Sequence, residues 1–261
     1  MSRANSNYRK VGAIVGPMII CVVTAALSAS GDESAPSKAI VNVPAADLDV
    51  QLSFTVTRIE GLLDKSDEYD EARQSRIAKE ADLAAVVALG LGLTKEDHVR
   101  KRTASTAIAA AQALAKAESY AAAKQAFAEL YQAARAKPPA DSLAPPTQWK
   151  PVAPLGLLMK EVPIVNSSLK RAVQGERFKS QTKISAAAAA TLAAIAQEAA
   201  TDHDAIKKPA DLPKWEQFCA EMRDASGRVN QAIHAGDSAG TEQAMAQLAQ
   251  SCDHCHRAFR K

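Results

Sequence analysis

Apolar residues recur every three or four positions along most of this chain, and this period most strongly constrains its fold. One early run consists of Leu48, Leu52, Val56, Ile59 and Leu63. That interval places the five side chains on one face of an α-helix. Alanine supplies much of the 47% hydrophobic content, and only 4% of the residues are aromatic. Because alanine favours helices whereas β-branched and aromatic residues favour strands, the sequence predicts an all-α protein.

The same period predicts four helices on each side of a proline-rich stretch. Glycines at positions 90 and 92 are expected to end the second helix. Short connections such as Gly236-Asp237-Ser238 imply antiparallel neighbours, so each set of four predicts an up-and-down bundle. The expected helices begin at Asp47, cover about 70–91, end near 117, and then cover about 120–136, 155–173, 178–202, 212–235 and 238–260.

Residues 138–154 divide the two sets. Six of the twelve prolines lie there, and a helix cannot continue through them. We interpret this segment as a semi-rigid linker between two tandem four-helix bundles, at 47–137 and 155–261, that are expected to unfold separately. Residues 31–46, rich in Ser, Pro, Asp and Ala, are predicted to form a further linker.

The N-terminus has the features of an export signal. Arg3, Arg9 and Lys10 precede an uncharged run over 11–30. Residues 1–30 are therefore predicted to be a signal peptide, with an uncleaved signal anchor as the alternative because about 20 apolar residues can span a bilayer. Glycine, proline and threonine within the run favour cleavage. Either outcome places the rest of the chain outside the cytoplasm, in the periplasm.

The charge balance argues against a nucleic-acid partner. The chain has 32 basic and 29 acidic residues, and residues 1–31 contain three basic and no acidic ones. The remainder is therefore neutral and shows no basic stripe, so we expect no binding to nucleic acid.

The sequence Cys252-Asp253-His254-Cys255-His256 is the attachment signature of a c-type haem. Two thiols three residues apart share a helix face and can bond the two vinyl groups of one porphyrin, and the next histidine can reach the iron. Two alternatives remain: a zinc site using both cysteines and both histidines, and a plain disulfide between Cys252 and Cys255. Cys219, on the apolar face of its own helix, is expected to be a buried, inert thiol.

The motif lies on the apolar stripe of the last predicted helix, and the first set of helices has no counterpart to it. Residues 124–130 and 242–248 resemble each other, which suggests an internal repeat. Continuing that alignment places Ala134 opposite Cys252 and Lys137 opposite Cys255. The first bundle is therefore predicted to bind no haem.

Residues 155–261 resemble the cytochrome c′ family of four-helix bundles. The run over 236–260 is similar to the family's final helix, including Phe259 three residues after the histidine and Arg260 beside it. The resemblance implies one covalently attached haem c, with His256 as the proximal ligand. It extends to residues 47–137 only as a helical pattern.

The resemblance also implies a helix facing the opposite side of the haem. Met159-Lys160 is similar to a Met-Lys pair that the family carries there, and in methionine-ligated relatives that thioether is the sixth ligand. Five-coordinate relatives cover the iron with an apolar residue instead. Pro163 departs from the pattern and is expected to kink or restart the helix. The alternative for Met159 is a core position, the commoner role of methionine.

These observations predict an exported monohaem cytochrome that transfers single electrons to a redox partner protein. The alternative is a five-coordinate haem module that binds or senses NO or CO. The sequence shows no proton-transfer or nucleophilic constellation, so we do not expect an enzyme. The first bundle is interpreted as a docking module for a redox partner, a membrane complex or a second copy, or as a spacer. Membrane attachment is expected only if residues 11–30 are retained.

Overall fold

The structure is a computed structural model that describes residues 42–135, 143–204 and 206–260, apart from the side chain at position 74. Within these ranges the regular structure is helical and contains no strand, which confirms the all-α prediction. The predicted signal segment and nearly all of the 31–46 linker lie outside the described residues. The α-helices are α1 Ala45–Leu63, α2 Tyr69–Ala72, α3 Ala78–Leu93, α4 Ala104–Ala115, α5 Tyr120–Arg135, α6 Leu155–Ala172, α7 Arg177–Ser180, α8 Thr182–Thr201, α9 Leu212–His234 and α10 Ser238–Phe259.

Shorter helical turns connect several of these helices. A π-helical turn, Arg73–Ile77, joins α2 to α3, and 3₁₀ turns at Val99–Arg102 and Pro209–Asp211 precede α4 and α9. The apolar stripe predicted for α1 is buried along its whole length. The three- and four-residue period therefore located the long helices correctly.

The glycines in α3 do not end that helix, contrary to prediction. The helix continues through Gly90 and Gly92 to Leu93. A Cβ atom at Gly92 would lie 2.6 Å from Pro146 Cδ and 2.8 Å from Ala104 Cβ. Glycine is required here because the proline-rich segment and α4 both approach the helix too closely for a side chain.

Helices α1, α3, α4 and α5 form a closed bundle. Each packs against the next, and α5 returns to pack against α1. Two tyrosines fasten the ends of the bundle: Tyr69 Oη donates to the Ala117 carbonyl at 2.9 Å, and Tyr120 Oη donates to the Leu63 carbonyl at 2.7 Å. This set, α1 with α3–α5, is called the first bundle below.

Helices α6, α8, α9 and α10 form the second bundle. They pack in chain order, and α8 is its most buried member, since every residue from Ser185 to Ala200 is buried. Among the described residues α8 is also the helix long and apolar enough to span a membrane, but 89% of its apolar window is buried inside the protein. It is thus a core helix in this fold.

The two bundles share one core, so the predicted arrangement of separate tandem bundles is not confirmed. Helix α8 packs against α1 and α3 as well as against α6 and α9. Leu158 and Ile195 belong to the same buried cluster as the core residues of α1, α3, α4 and α5. The described residues from Asn42 onward fall in one compact unit. Helix α8 allows this because its alanines let neighbouring helices approach on more than one side.

The described part of the proline-rich segment, residues 143–154, is fastened to this shared core. Trp149 is 1% exposed, and its Nε1 donates to Glu198 Oε2 on α8 at 2.6 Å. The backbone N–H groups of Val152 and Ala153 donate to Glu198 Oε1 at 2.5 and 3.1 Å. The segment that was predicted to hold the bundles apart therefore joins them, through one buried carboxyl group.

A second polar contact ties α1 to α9. The buried Asp47 carboxylate accepts a hydrogen bond from Asn230 Nδ2 at 2.7 Å, and its Oδ2 lies 2.7 Å from His234 Nε2. Asn230 Nδ2 also donates to the Ala186 carbonyl of α8 at 2.9 Å. The first bundle is thus bonded to α9, and the same Asn230 amide joins α9 to α8.

We predict one cooperative unfolding transition. Because Trp149 and α8 are common to both bundles, neither bundle keeps its core when the other unfolds. Thermal melting followed by far-UV circular dichroism and by tryptophan fluorescence should give coincident curves. Trp149→Ala should lower the free energy of unfolding by about 3–5 kcal/mol, whereas Phe54→Ala, at a half-exposed surface position, should change it by about 0.5 kcal/mol or less. Two resolved transitions would restore the separate-domain model.

We also predict that part of the stability is lost as pH rises. Burial raises the pKa of Glu198 from 4.5 to about 7. The folded state then binds this proton more tightly than the unfolded state, so the stabilisation is complete below pH 4.5 and is lost as pH rises through 7. The expected loss is about 3 kcal/mol. Denaturant titrations at several pH values across this range give the free energy of unfolding as a function of pH. That free energy should fall less steeply with pH for Glu198→Gln than for the wild type, and equal pH dependences would contradict the prediction.

Candidate functional site

Helix α10 carries the predicted attachment motif and packs along α9. A tight turn precedes it: Gly236 has φ +68°, and the Asp237 side chain caps the helix by accepting from Gly240 N at 2.9 Å. Met245 and Leu248 bury the first half of the helix in the core of the second bundle. The apolar stripe of α10 then continues toward the C-terminus, and the two motif cysteines lie on it.

The two motif cysteines are half-buried and lie against apolar side chains. Cys252 packs against the cluster that contains Leu248, and Cys255 packs against the cluster formed by residues such as Trp215 and Cys219. Burial raises the pKa of both motif thiols. Both therefore stay protonated at neutral pH, partly shielded from solvent but not enclosed.

All three cysteines in the described part of the chain are free thiols. The alternative of a disulfide between Cys252 and Cys255 is thus not what the structure contains. Cys219 is buried, as expected, and burial together with the neighbouring Cys255 raises its pKa far above the ordinary range. Cys219 is therefore unreactive as a nucleophile.

The two motif histidines have different surroundings. His256 is exposed, and its backbone carbonyl accepts from Arg260 N at 2.9 Å. His254 is half-buried, and its ring centroid lies 6.4 Å from that of Phe218. Within the described residues, no three Cys, His, Asp or Glu side chains are grouped to hold a metal ion, which gives the zinc alternative no support. A haem iron held by one histidine needs no such group.

A groove separates α6 from α10. These two helices do not pack closely over their described lengths, and a cavity of about 480 Å³ lies between them. Lys170 and Val173 line it from α6, and Thr241, Met245 and Ala249 line it from α10. We call this cavity the α6–α10 seam.

The seam leads to the attachment motif. Cys252 follows the groove residue Ala249 by three positions, and His256 follows Cys252 by four, so all three lie on one face of α10. The start of α6 lies near the end of α10, since Met159 and Cys255 pack against the same apolar cluster. Cys252 and His256 therefore continue the α10 face that lines the cavity, although they lie beyond its lining residues.

Met159 and Lys170 are three helical turns apart on α6 and share one face of that helix, and Lys170 lines the seam. Met159 is half-buried and also packs against the large shared core. Asn166 Oδ1 is buried without a hydrogen-bond partner. The Lys170 charge lowers the pKa of Cys252, although burial dominates, so this ammonium group lies near the thiol. Helix α6 runs unbroken through Pro163, so the expected restart of the helix there does not occur.

The first bundle provides an internal comparison for this seam. Its corresponding helices, α1 and α5, pack directly against each other. Ala134, which the repeat aligns with Cys252, is fully buried in that contact region. Only the bundle that carries the motif is thus open between its first and last helices, among the described residues.

These residues fit a covalently attached haem. Cys252 and Cys255 are free thiols one helical turn apart, Cys252 lies on the α10 face that lines the seam, and the histidine that follows is exposed. Asn166 and Lys170 were not predicted from the sequence as residues of interest. Their spacing from Met159 could have indicated them, but nothing in the sequence distinguishes the open face of α6 from its core face.

The comparisons with known proteins add no relative: no family model, no curated protein and no solved structure matches this chain. The functional argument consequently depends on the motif and on the geometry around it.

Proposed function

We propose that this protein is an exported monohaem c-type cytochrome that mediates one-electron transfer. The observation that carries the proposal is the position of the Cys252-to-His256 motif, since Cys252 and His256 continue the α10 face that lines the seam. Cys252 and Cys255 would form the two thioether bonds, and His256 would be the proximal ligand. The iron of a bound haem supplies reversible one-electron chemistry.

The surrounding residues set the environment of that centre. Met245 and Leu248 on α10 and Val165 and Leu169 on α6 form an apolar floor beneath the seam. An apolar, partly closed site excludes water, and that tunes the reduction potential. Lys170 lies on the seam as a cation that can pair with carboxylate groups.

Met159 is the proposed sixth ligand, since it lies on the seam face of α6 and packs near Cys255. One observation favours the alternative function, a five-coordinate module that binds or senses NO or CO. The Met159 side chain also packs against the shared core, which is the role of an ordinary core methionine. A methionine held there would leave the sixth position open to a diatomic gas.

The proposed location is the periplasm, with the plasma membrane as an attachment site if residues 11–30 are retained. The proposed partner is a redox protein, or a second copy of the chain, that approaches the exposed edge carrying His256. Arg257 and Arg260 are exposed at the same edge and would favour an acidic partner surface. We propose electron transfer rather than catalysis for this site.

The first bundle has a proposed supporting role. It covers the side of α8 that the second bundle leaves open, and it holds α6 through α3. We also propose that the first bundle docks a partner, because its exposed surface does not include the α6–α10 seam and is available for contact.

Covalent attachment is testable by extraction. The wild-type chain, produced with a c-type haem maturation system, should keep its haem in acid acetone and gain the mass of one haem. Cys252→Ala and Cys255→Ala should each lose one of the two thioether bonds, because each thiol forms its own bond. With one bond left to hold the porphyrin, each variant should yield little attached haem. Cys219→Ala is the matched control and should attach haem normally. Wild-type protein that releases all of its haem would refute the covalent proposal.

The sixth ligand is testable by absorption spectra. If Met159 binds the iron, the wild type should be low-spin with a sulfur-to-iron band in the ferric form, and Met159→Ala should become high-spin and bind CO readily. Met222→Ala, at another half-buried methionine, should leave the spectrum unchanged. A wild type that is already high-spin and binds CO would instead support the gas-binding function.

A further inference from the structure

A second cavity lies where the first bundle meets the second, away from the attachment motif. Its volume is about 620 Å³, within the range of small-molecule sites. Its walls are formed by α3, α4, the segment Pro151–Pro154, and the end of α8 with the loop that follows. Nothing in the proposed electron-transfer function uses it.

The cavity contains a buried carboxylate that no described residue pairs with. Asp82 on α3 is 4% exposed and lines the cavity, yet it makes no hydrogen bond or ion pair with any described residue. Buried carboxylates are almost always paired, because an unpaired charge is costly to desolvate. Asp82 is thus a buried carboxylate that has no hydrogen-bond or ion-pair partner among the described residues.

Other features of the cavity also favour positive charge. Asp202 and Asp204 line its opposite side, and Asp202 is itself buried. Helices α8 and α4 both end at the cavity, at Thr201 and Ala115. The C-terminal end of a helix carries partial negative charge and stabilises cations. Two carboxylates and two helix ends thus reinforce the charge of Asp82.

One cationic side chain competes for the same position. Lys116, an exposed residue just after α4, lines the cavity, and its charge lowers the pKa of Asp82, opposing burial. Burial still dominates and raises that pKa to about 6, so Asp82 is mostly ionised at neutral pH and above. The long, solvent-exposed stem of Lys116 can move aside, since it has no hydrogen bond holding it.

The cavity is preformed rather than created by a ligand. Glu198 fixes the wall through the N–H groups of Val152 and Ala153. Gln112 Nε2 holds the same wall from α4 by donating to the Val152 carbonyl at 2.8 Å. A fixed wall avoids the entropy of ordering a loop on binding.

We propose that this cavity binds a small organic cation with N–H donors, an alkylamine or a guanidinium, and that Asp82 forms its ion pair. A metal ion is the less suitable ligand, because no three acidic, histidine or cysteine side chains of the described residues converge on one point. Apolar wall residues such as Ala78 and Leu157 suit the alkyl part of an amine.

Isothermal titration at pH 7.5 with putrescine tests the proposal on the purified full-length protein. Tetramethylammonium is the probe for charge without N–H donors, and 1,4-butanediol is the uncharged analogue. Putrescine should bind at least tenfold more tightly than either, since hydrogen bonds between charged groups are the strong ones. Asp82→Asn should lower the affinity for putrescine by about tenfold or more. Asp70→Asn, at an exposed carboxylate on α2, should leave that affinity unchanged.

Lys116→Met gives an independent test that keeps the buried carboxylate intact. Removing the competing ammonium group should tighten putrescine binding severalfold, and Lys124→Met on the exposed face of α5 should not change it. No putrescine binding at millimolar concentration would overturn the proposal. So would equal binding of tetramethylammonium, or unchanged affinity in both Asp82→Asn and Lys116→Met. If circular dichroism shows that Asp82→Asn does not fold, the Lys116→Met result decides.

Discussion

The burial of α8 on all sides is the constraint on which the rest of the structure depends. Every residue from Ser185 to Ala200 is buried, and helices of both bundles contact them. Most of these residues are alanine, so the neighbouring backbones can approach closely while each contact buries little apolar area. Stability then requires many such contacts, and α8 obtains them by serving two bundles at once.

Glu198, near the end of α8, shows how the fold accommodates polar groups in that core. Its carboxyl group accepts from one tryptophan side chain and two backbone N–H groups of the proline-rich segment. Three donors compensate for much of the desolvation of a fully buried acid. The same bonds satisfy backbone groups that prolines leave outside any helix, so one side chain organises a whole connection.

The two bundles differ at one place, and this difference underlies the proposed function. In the first bundle the opening and closing helices meet, whereas in the second α6 and α10 stay apart. Cys252 lies on the α10 face that lines the open seam. A seam left open in a bundle of mostly small side chains would lower stability unless something fills it, because unfilled space forfeits packing contacts. A large, flat, apolar group attached at the motif would supply them.

The sequence by itself determined the positions of the long helices and the Cys-x-x-Cys-His spacing. Helix positions follow from local periodicity, and the spacing of Cys252, Cys255 and His256 is a property of consecutive residues, so both could be predicted without a fold. It did not determine the relation between the bundles. The prolines of 138–154 suggested separation, whereas the buried Trp149 and the hydrogen bonds of this segment to Glu198 join both bundles in one core. Nor did it show that α3 passes through Gly92, that Lys170 lines the seam, or that Asp82 lies in a cavity without a partner among the described residues. Tertiary structure alone decided these points, because each depends on which distant helix packs against a residue, and alanine-rich helices carry little sequence information about their partners.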